Sequence, residues 1–194
     1  ISRAEAPTIA TEGAPVGMPV AGLPSPGAPS VAIVGASARE MSPSLGAAQQ
    51  AVYGAEEASI SDVGMRWSRR SDAQAYLDAL IGSTWFFERW PSLVRCTIER
   101  RGSGSVWSAS HALDISGPGT CATEGVILVA DGALSQPVVL HELAHLVLPR
   151  HTGHRPPFAR TLLALVRHEM GFFAFAALRE ALAGTPALLP RRQC

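Results

Sequence analysis

At 194 residues the chain has room for one domain and an additional segment. Its sixteen basic residues, all arginine, balance sixteen acidic ones, so there is no net positive field to hold nucleic acid and a DNA-binding role is not expected. Cys96, Cys121 and Cys194 are an odd set without a C-x-x-C pair, which argues against a zinc ribbon or a disulfide framework. No apolar run reaches the roughly 18–20 residues of a membrane span. The first residues show no charged stretch leading into an apolar one, so no secretory signal is read and a cytoplasmic location is expected.

Residues 1–60 hold seven Pro, seven Gly and fourteen Ala but neither Trp nor Phe. That composition offers little apolar area against the entropy of ordering, so the segment is expected to be mostly disordered. Within it, Val31–Val34 could form an isolated strand and Ala47–Ala58 a short helix, while Gly35-Ala36-Ser37 is too weak a signal for a phosphate loop. All four Trp and all six Phe lie beyond residue 66, which places the core in residues 61–188 and leaves 189–194 as a tail.

Inside the core, Ser71-Asp72 is a cap signal for a helix carrying Ala75, Tyr76, Leu77, Leu80 and Ile81. The aromatic cluster Trp85–Trp90 should pack against it. Val94–Glu99 is apolar enough for a strand. After a Gly102-Ser103-Gly104 turn, Ser105–Leu113 alternates, with Val106, Ser108, Ser110 and Ala112 on one side and Trp107, Ala109, His111 and Leu113 on the other. Gly125–Ala130 is a third strand, ended by Asp131-Gly132. These elements predict an α+β fold in which a short, mainly antiparallel sheet packs on the helix that follows.

That helix, expected from about Gln136 to Leu148, carries His141-Glu142-Leu143-Ala144-His145, an H-E-x-x-H motif. Ser135 can cap it, Pro137 is tolerated in its first turn, and Pro149 disfavours helix at Leu148. Residues four apart share a helix face, so His141 and His145 can bind one Zn²⁺, with Glu142 at the edge of that face as general base for a water on the metal. Val138, Val139, Leu140, Leu143, Ala144 and Leu146 make the helix apolar on all sides and hence buried. Buried histidines and a carboxylate are costly without partners, and a metal supplies one.

A catalytic zinc site needs a third protein ligand and an open position. Three downstream residues compete for that place: His154, just before Pro156-Pro157-Phe158; His151, at the metzincin spacing but with Leu148 where that pattern needs Gly; and Glu169, on a following helix as in gluzincins. His111, His151 and His168 are also weighed, as a cleft residue, a donor behind the ligands and a favourable helix-end charge respectively.

The stretch His141–Phe158, HELAHLVLPRHTGHRPPF, resembles the pattern of SprT-like zinc metallopeptidases, and more closely that of a family of small metallohydrolases of high-GC bacteria. The resemblance extends over about residues 70–183. It implies a zincin-like domain and His154 as third ligand, with Arg155 standing where the family carries Gly. It also implies a strand that pairs with an extended substrate, for which Gly125–Ala130 is the candidate. The expected protein is a zinc-dependent hydrolase, a metallopeptidase, with metal ligands His141, His145 and His154, Glu142 as catalytic base, and a peptide or protein substrate; neither nucleic acid nor membrane is an expected partner. The alternative is a non-catalytic, zinc-stabilised binding module of the same fold.

Overall fold

The computed structural model describes residues 43–102, 108–115, 121–130 and 132–188. Expectations for Val31–Val34, Gly35–Ser37, Ser103–Trp107, Asp131 and the 189–194 tail with Cys194 lie outside the described residues. The described residues form an α+β fold of six helices and three strands: α1 (Pro43–Ser59), α2 (Arg70–Ile81), α3 (Thr84–Arg89), β1 (Leu93–Arg100), β2 (Ala109–Asp114), β3 (Thr123–Val129), α4 (Gln136–Leu146), α5 (Pro156–Glu169) and α6 (Gly171–Leu182). None of the described helices is long and apolar enough to cross a membrane.

The sheet order is β1-β3-β2, with β3 parallel to β1 and antiparallel to β2. The mainly antiparallel sheet expected from sequence is therefore corrected to a mixed one. Alternation within a strand reports which face is buried but carries no information on its neighbour's direction. The buried residues of β3 and β1, among them Ile127, Val129, Cys96 and Ile98, face the helices. Gly125 sits where α4 presses closest, since a Cβ there would lie 2.7 Å from Leu146 Cδ1 and 3.0 Å from Cys96 Sγ.

The two outer edges of the sheet differ. On β1, the Gln74 side chain substitutes for a neighbouring strand: its Nε2 donates to the Cys96 carbonyl (2.8 Å) and its Oε1 accepts from the Ile98 N–H (2.7 Å). β3 is the central strand and has both sides paired, so Gly125–Ala130 cannot be the substrate-pairing edge. The other outer strand is β2, which packs against α4.

Helix ends follow local chemistry with some departures. The Ser83 hydroxyl accepts from Phe86 N–H (3.2 Å) and starts α3, whose Phe86 is fully buried. α2 begins one residue before Ser71, with Arg69 in the capping position, so Ser71-Asp72 falls in the first turn instead of capping it. Ser135 does occupy the N-cap position of α4, but its hydroxyl makes no capping hydrogen bond. α4 ends at Leu146, ahead of the Leu148-Pro149 pair that cannot continue it.

The largest departure concerns residues 43–60, expected to lie outside the core. They form α1 and the turn after it, with Val52 and Ile60 fully buried and Ala48 and Ala55 nearly so. α1 packs along α6. Ala48, Val52 and Ala55 recur at i, i+4 and i+7, the spacing of a core-facing stripe. Alanine contributes little apolar area but lets two helices approach closely, so a composition poor in large side chains still buries a face. The domain boundary moves from residue 60 to a position before α1.

Candidate metal centre

α4 is the structural axis of the site. Val139, Leu140, Leu143 and Ala144 are fully buried and fix its rotation, which leaves His141 and His145 projecting from one side. The chain then leaves the helix and returns through a turn in which Gly153 adopts φ 56°, a left-handed conformation that favours glycine. This turn delivers His154 to the two helical histidines and starts α5 at Pro156. The arginine at position 155 does not prevent the return, because Gly153 supplies the backbone freedom one residue ahead of His154.

The three Nε2 atoms converge. His154 Nε2 lies 3.2 Å from His141 Nε2 and 3.3 Å from His145 Nε2, and all three ligand atoms lie within 4.8 Å of one another. Two ligands of a tetrahedral metal at about 2.0–2.1 Å are themselves about 3.3–3.4 Å apart, so this donor set fits such an ion. His141 and His154 are buried and His145 is partly buried. Burial, reinforced by the neighbouring His141, pushes His145 and His154 down to about 3, which keeps both imidazoles neutral and able to donate a lone pair. On His141, burial is the largest influence and acts downward, but the charge and hydrogen bond of Glu56 together with Glu142 outweigh it and the net shift is upward.

The floor of the site is Phe158, fully buried, whose ring lies 4.3 Å from that of His145, 4.7 Å from His154 and 5.0 Å from His141. The phenylalanine that ends the His141–Phe158 pattern thus packs against all three histidines.

α1 supplies what sequence reading missed. Both carboxylate oxygens of Glu56 lie 2.9 Å from His141 Nδ1. A carboxylate can only accept, so Nδ1 carries the proton and Nε2 presents its lone pair to the metal position. Tyr53, three residues earlier on the same helix face, stacks on His141 (5.3 Å between ring centres, 18° apart) and meets His154 edge-on at 5.2 Å. Gln49 Nε2 donates to the Tyr53 hydroxyl oxygen at 3.4 Å, and burial pushes this phenol's pKa up.

Glu142 is buried beside the three histidines, 6% exposed. Burial raises its pKa from the ordinary carboxylate value, opposed by His141, by a hydrogen bond from Ser110 on β2 and by Arg101. Two lobes of a cleft meet at this carboxylate. One, of about 400 Å³, runs along Ser108 and Ala109–Ala112 of β2 and past His145, Leu148 and Arg150. The other, of about 340 Å³, is lined by Glu56, Glu57, Arg66, Ala133, Pro137 and Val138. Arg150 donates to the Ala112 carbonyl on the outer side of β2.

The remaining candidates fall elsewhere. His151 is exposed and stands apart from the three-histidine group. Glu169 is not in the group either: it interacts with Tyr76, and its carbonyl accepts from Gln136 (3.4 Å). His111 lies exposed on β2, on the wall of the larger lobe. His168 lies exposed in the last turn of α5, the helix-end position expected for it, and also stacks on Trp85 at 3.8 Å. Ser110, Tyr53 and Glu56 carried no motif. The spacing of Tyr53 and Glu56 beside the Ala48-Val52-Ala55 stripe was the available signal. No family model, no curated protein and no solved structure matches this chain.

Proposed function

We propose that this protein is a zinc-dependent hydrolase, a metallopeptidase, with a zincin-like arrangement in which His141, His145 and His154 hold the metal and Glu142 is the general base. The observation that carries the reading is the convergence of three imidazole Nε2 atoms, with His154 Nε2 3.2 and 3.3 Å from the other two, beside a buried carboxylate that is not one of the donors. The resemblance of His141–Phe158 to SprT-like metallopeptidases agrees with it. Three nitrogen donors with an open position are the donor set of catalytic zinc, whereas structural sites are closed by a fourth protein ligand.

A zinc ion in this set supplies Lewis acidity towards a water and towards the substrate carbonyl. The protein's own groups do the rest. Glu142 takes the proton of the attacking water and returns it to the leaving amine, and its raised pKa suits both transfers. Ser110 holds one side of that carboxylate through its hydroxyl. Glu56 keeps the His141 proton on Nδ1 so that the ring faces the metal with a bare nitrogen. Phe158 and the surrounding aliphatic core exclude water from behind the ligands.

An extended peptide fits the cleft along β2, whose outer edge lines the larger lobe. Arg150 already makes a hydrogen bond to Ala112 on that edge, and a pairing substrate would displace it. The balance of sixteen acidic and sixteen basic residues offers no attraction to nucleic acid, and a peptide or protein is the proposed substrate, met in the cytoplasm.

The test is metal analysis joined to a peptide-library cleavage screen. The expected result is one zinc per chain and cleavage that stops on chelation and returns with zinc. A chain that holds zinc but cleaves nothing would favour a zinc-stabilised binding module, and a chain that binds no zinc would refute both readings.

A further inference from the structure

Resting on the hydrolase reading above, we propose that Tyr53 is a catalytic residue whose phenol hydroxyl donates a hydrogen bond to the oxygen of the scissile carbonyl. The two lobes of the cleft have three wall residues in common: Tyr53, Ser108 and Glu142. A substrate that spans both lobes passes these three residues, and its reacting carbonyl lies at their junction because Glu142 is there. As negative charge develops on that oxygen, the groups that stabilise it must be donors. Glu142 as base accepts a proton at this stage and cannot fill the role.

Of the two hydroxyls, that of Ser108 has no exposed surface and no partner, so it does not face the cleft in this arrangement. Tyr53 is 37% exposed and stands over the metal position, stacked on His141 and edge-on to His154. Its place is set from both sides. Val52 and Ala55, its near neighbours on α1, are buried in the core and hold the helix, and Gln49 one turn earlier donates to the phenol oxygen. A phenol has one O–H to give and can accept at the same oxygen. The inference extends the working part of the site to a helix 85 residues upstream of the motif, the separation of the Glu56–His141 pair.

The experiment uses the full-length, zinc-loaded chain and acetohydroxamate as an active-site probe, with zinc content and affinity measured in parallel. Tyr53→Phe keeps the ring stacked on the histidines and removes only the hydroxyl. The expected result is zinc affinity within about twofold of wild type, acetohydroxamate binding about tenfold weaker, and kcat/KM on a library-derived peptide about 10²-fold lower, the scale of losing one oxyanion donor. Unchanged probe affinity and rate in a zinc-loaded Tyr53→Phe protein would overturn the inference and leave the hydrolase reading standing. So would loss of zinc in Tyr53→Phe, which would make the hydroxyl a support of the ligands. A deficit in Ser108→Ala with none in Tyr53→Phe would overturn it by moving the donor to Ser108. A wild-type chain that binds no zinc would remove the hydrolase reading itself, and the role of Tyr53 with it.

Discussion

Replacing Glu56 with alanine should weaken zinc binding by about 10–100-fold, although Glu56 touches no metal position. The magnitude follows from what the substitution leaves behind. His141 Nδ1 now donates to a carboxylate at 2.9 Å, in a pair whose side chains are 6% and 13% exposed. Alanine provides no acceptor, and a water entering from the lobe that Glu56 lines is a weaker partner than a carboxylate, so the N–H loses a charge-assisted hydrogen bond at a cost of about 1–3 kcal/mol. The proton is then no longer held on Nδ1, and the tautomer with Nε2 protonated cannot bind metal until it rearranges. A tenfold change in affinity corresponds to about 1.4 kcal/mol, so the lost hydrogen bond alone accounts for the lower part of the range. Glu56→Gln keeps an acceptor oxygen and should fall between wild type and Glu56→Ala. The assay is competition with a chelator of known zinc affinity at fixed pH, with circular dichroism to confirm that α1 stays folded. Equal affinity for wild type and Glu56→Ala would refute the reasoning, because it would show that the Glu56–His141 pair does not set the ligand's protonation or orientation.

Truncation to a chain starting at Ser61 should strongly destabilise the domain. It removes fully buried Val52 and Ile60, about 1.5–3 kcal/mol each, from a total stability of typically 5–15 kcal/mol, and a melting temperature equal to full length would refute the packing of α1. His154→Ala should lose far more zinc affinity than His151→Ala, since only His154 stands in the convergent group; similar losses in a zinc titration of both variants would contradict that placement. Cys96 should resist alkylation in the native protein while exposed Cys121 reacts. Burial, and then Asp78, push the Cys96 thiol up to about 12, so at pH 8 only about one molecule in 10⁴ carries the reactive thiolate. Mass-spectrometric mapping that finds native Cys96 modified as fast as Cys121 would rule this out.

The parts of the molecule legible in the sequence are those where a local pattern determines the structure. The i, i+4 histidines and Pro137 specify α4 because helix geometry alone brings those side chains together. His154 was reachable only through its place before Pro156 and Phe158, and the structure adds the reason: Phe158 is the floor under all three rings. What stayed hidden depends on long-range pairing. The apolar run Gly125–Ala130 marks a strand but does not name its neighbours, and only the strand order places β3 in the middle. Glu56 reads as a surface helix charge until α1 is docked, since nothing within 85 residues of chain points to His141. The alanine stripe of α1 is hidden from a residue-by-residue sum of apolar area, whereas close helix approach lets small side chains form an interface.

The central claim is that Glu142 acts as a base beside a metal it does not bind, and Glu142→Gln tests it most directly. Gln preserves the shape of the side chain but cannot accept a proton from water. On the peptide identified in the library screen, with zinc content measured on the same samples, the account expects Glu142→Gln to retain one zinc per chain. Its rate should fall about 10²–10⁴-fold, the usual contribution of a general base. Equal rates for zinc-loaded wild type and Glu142→Gln would contradict the account at its core.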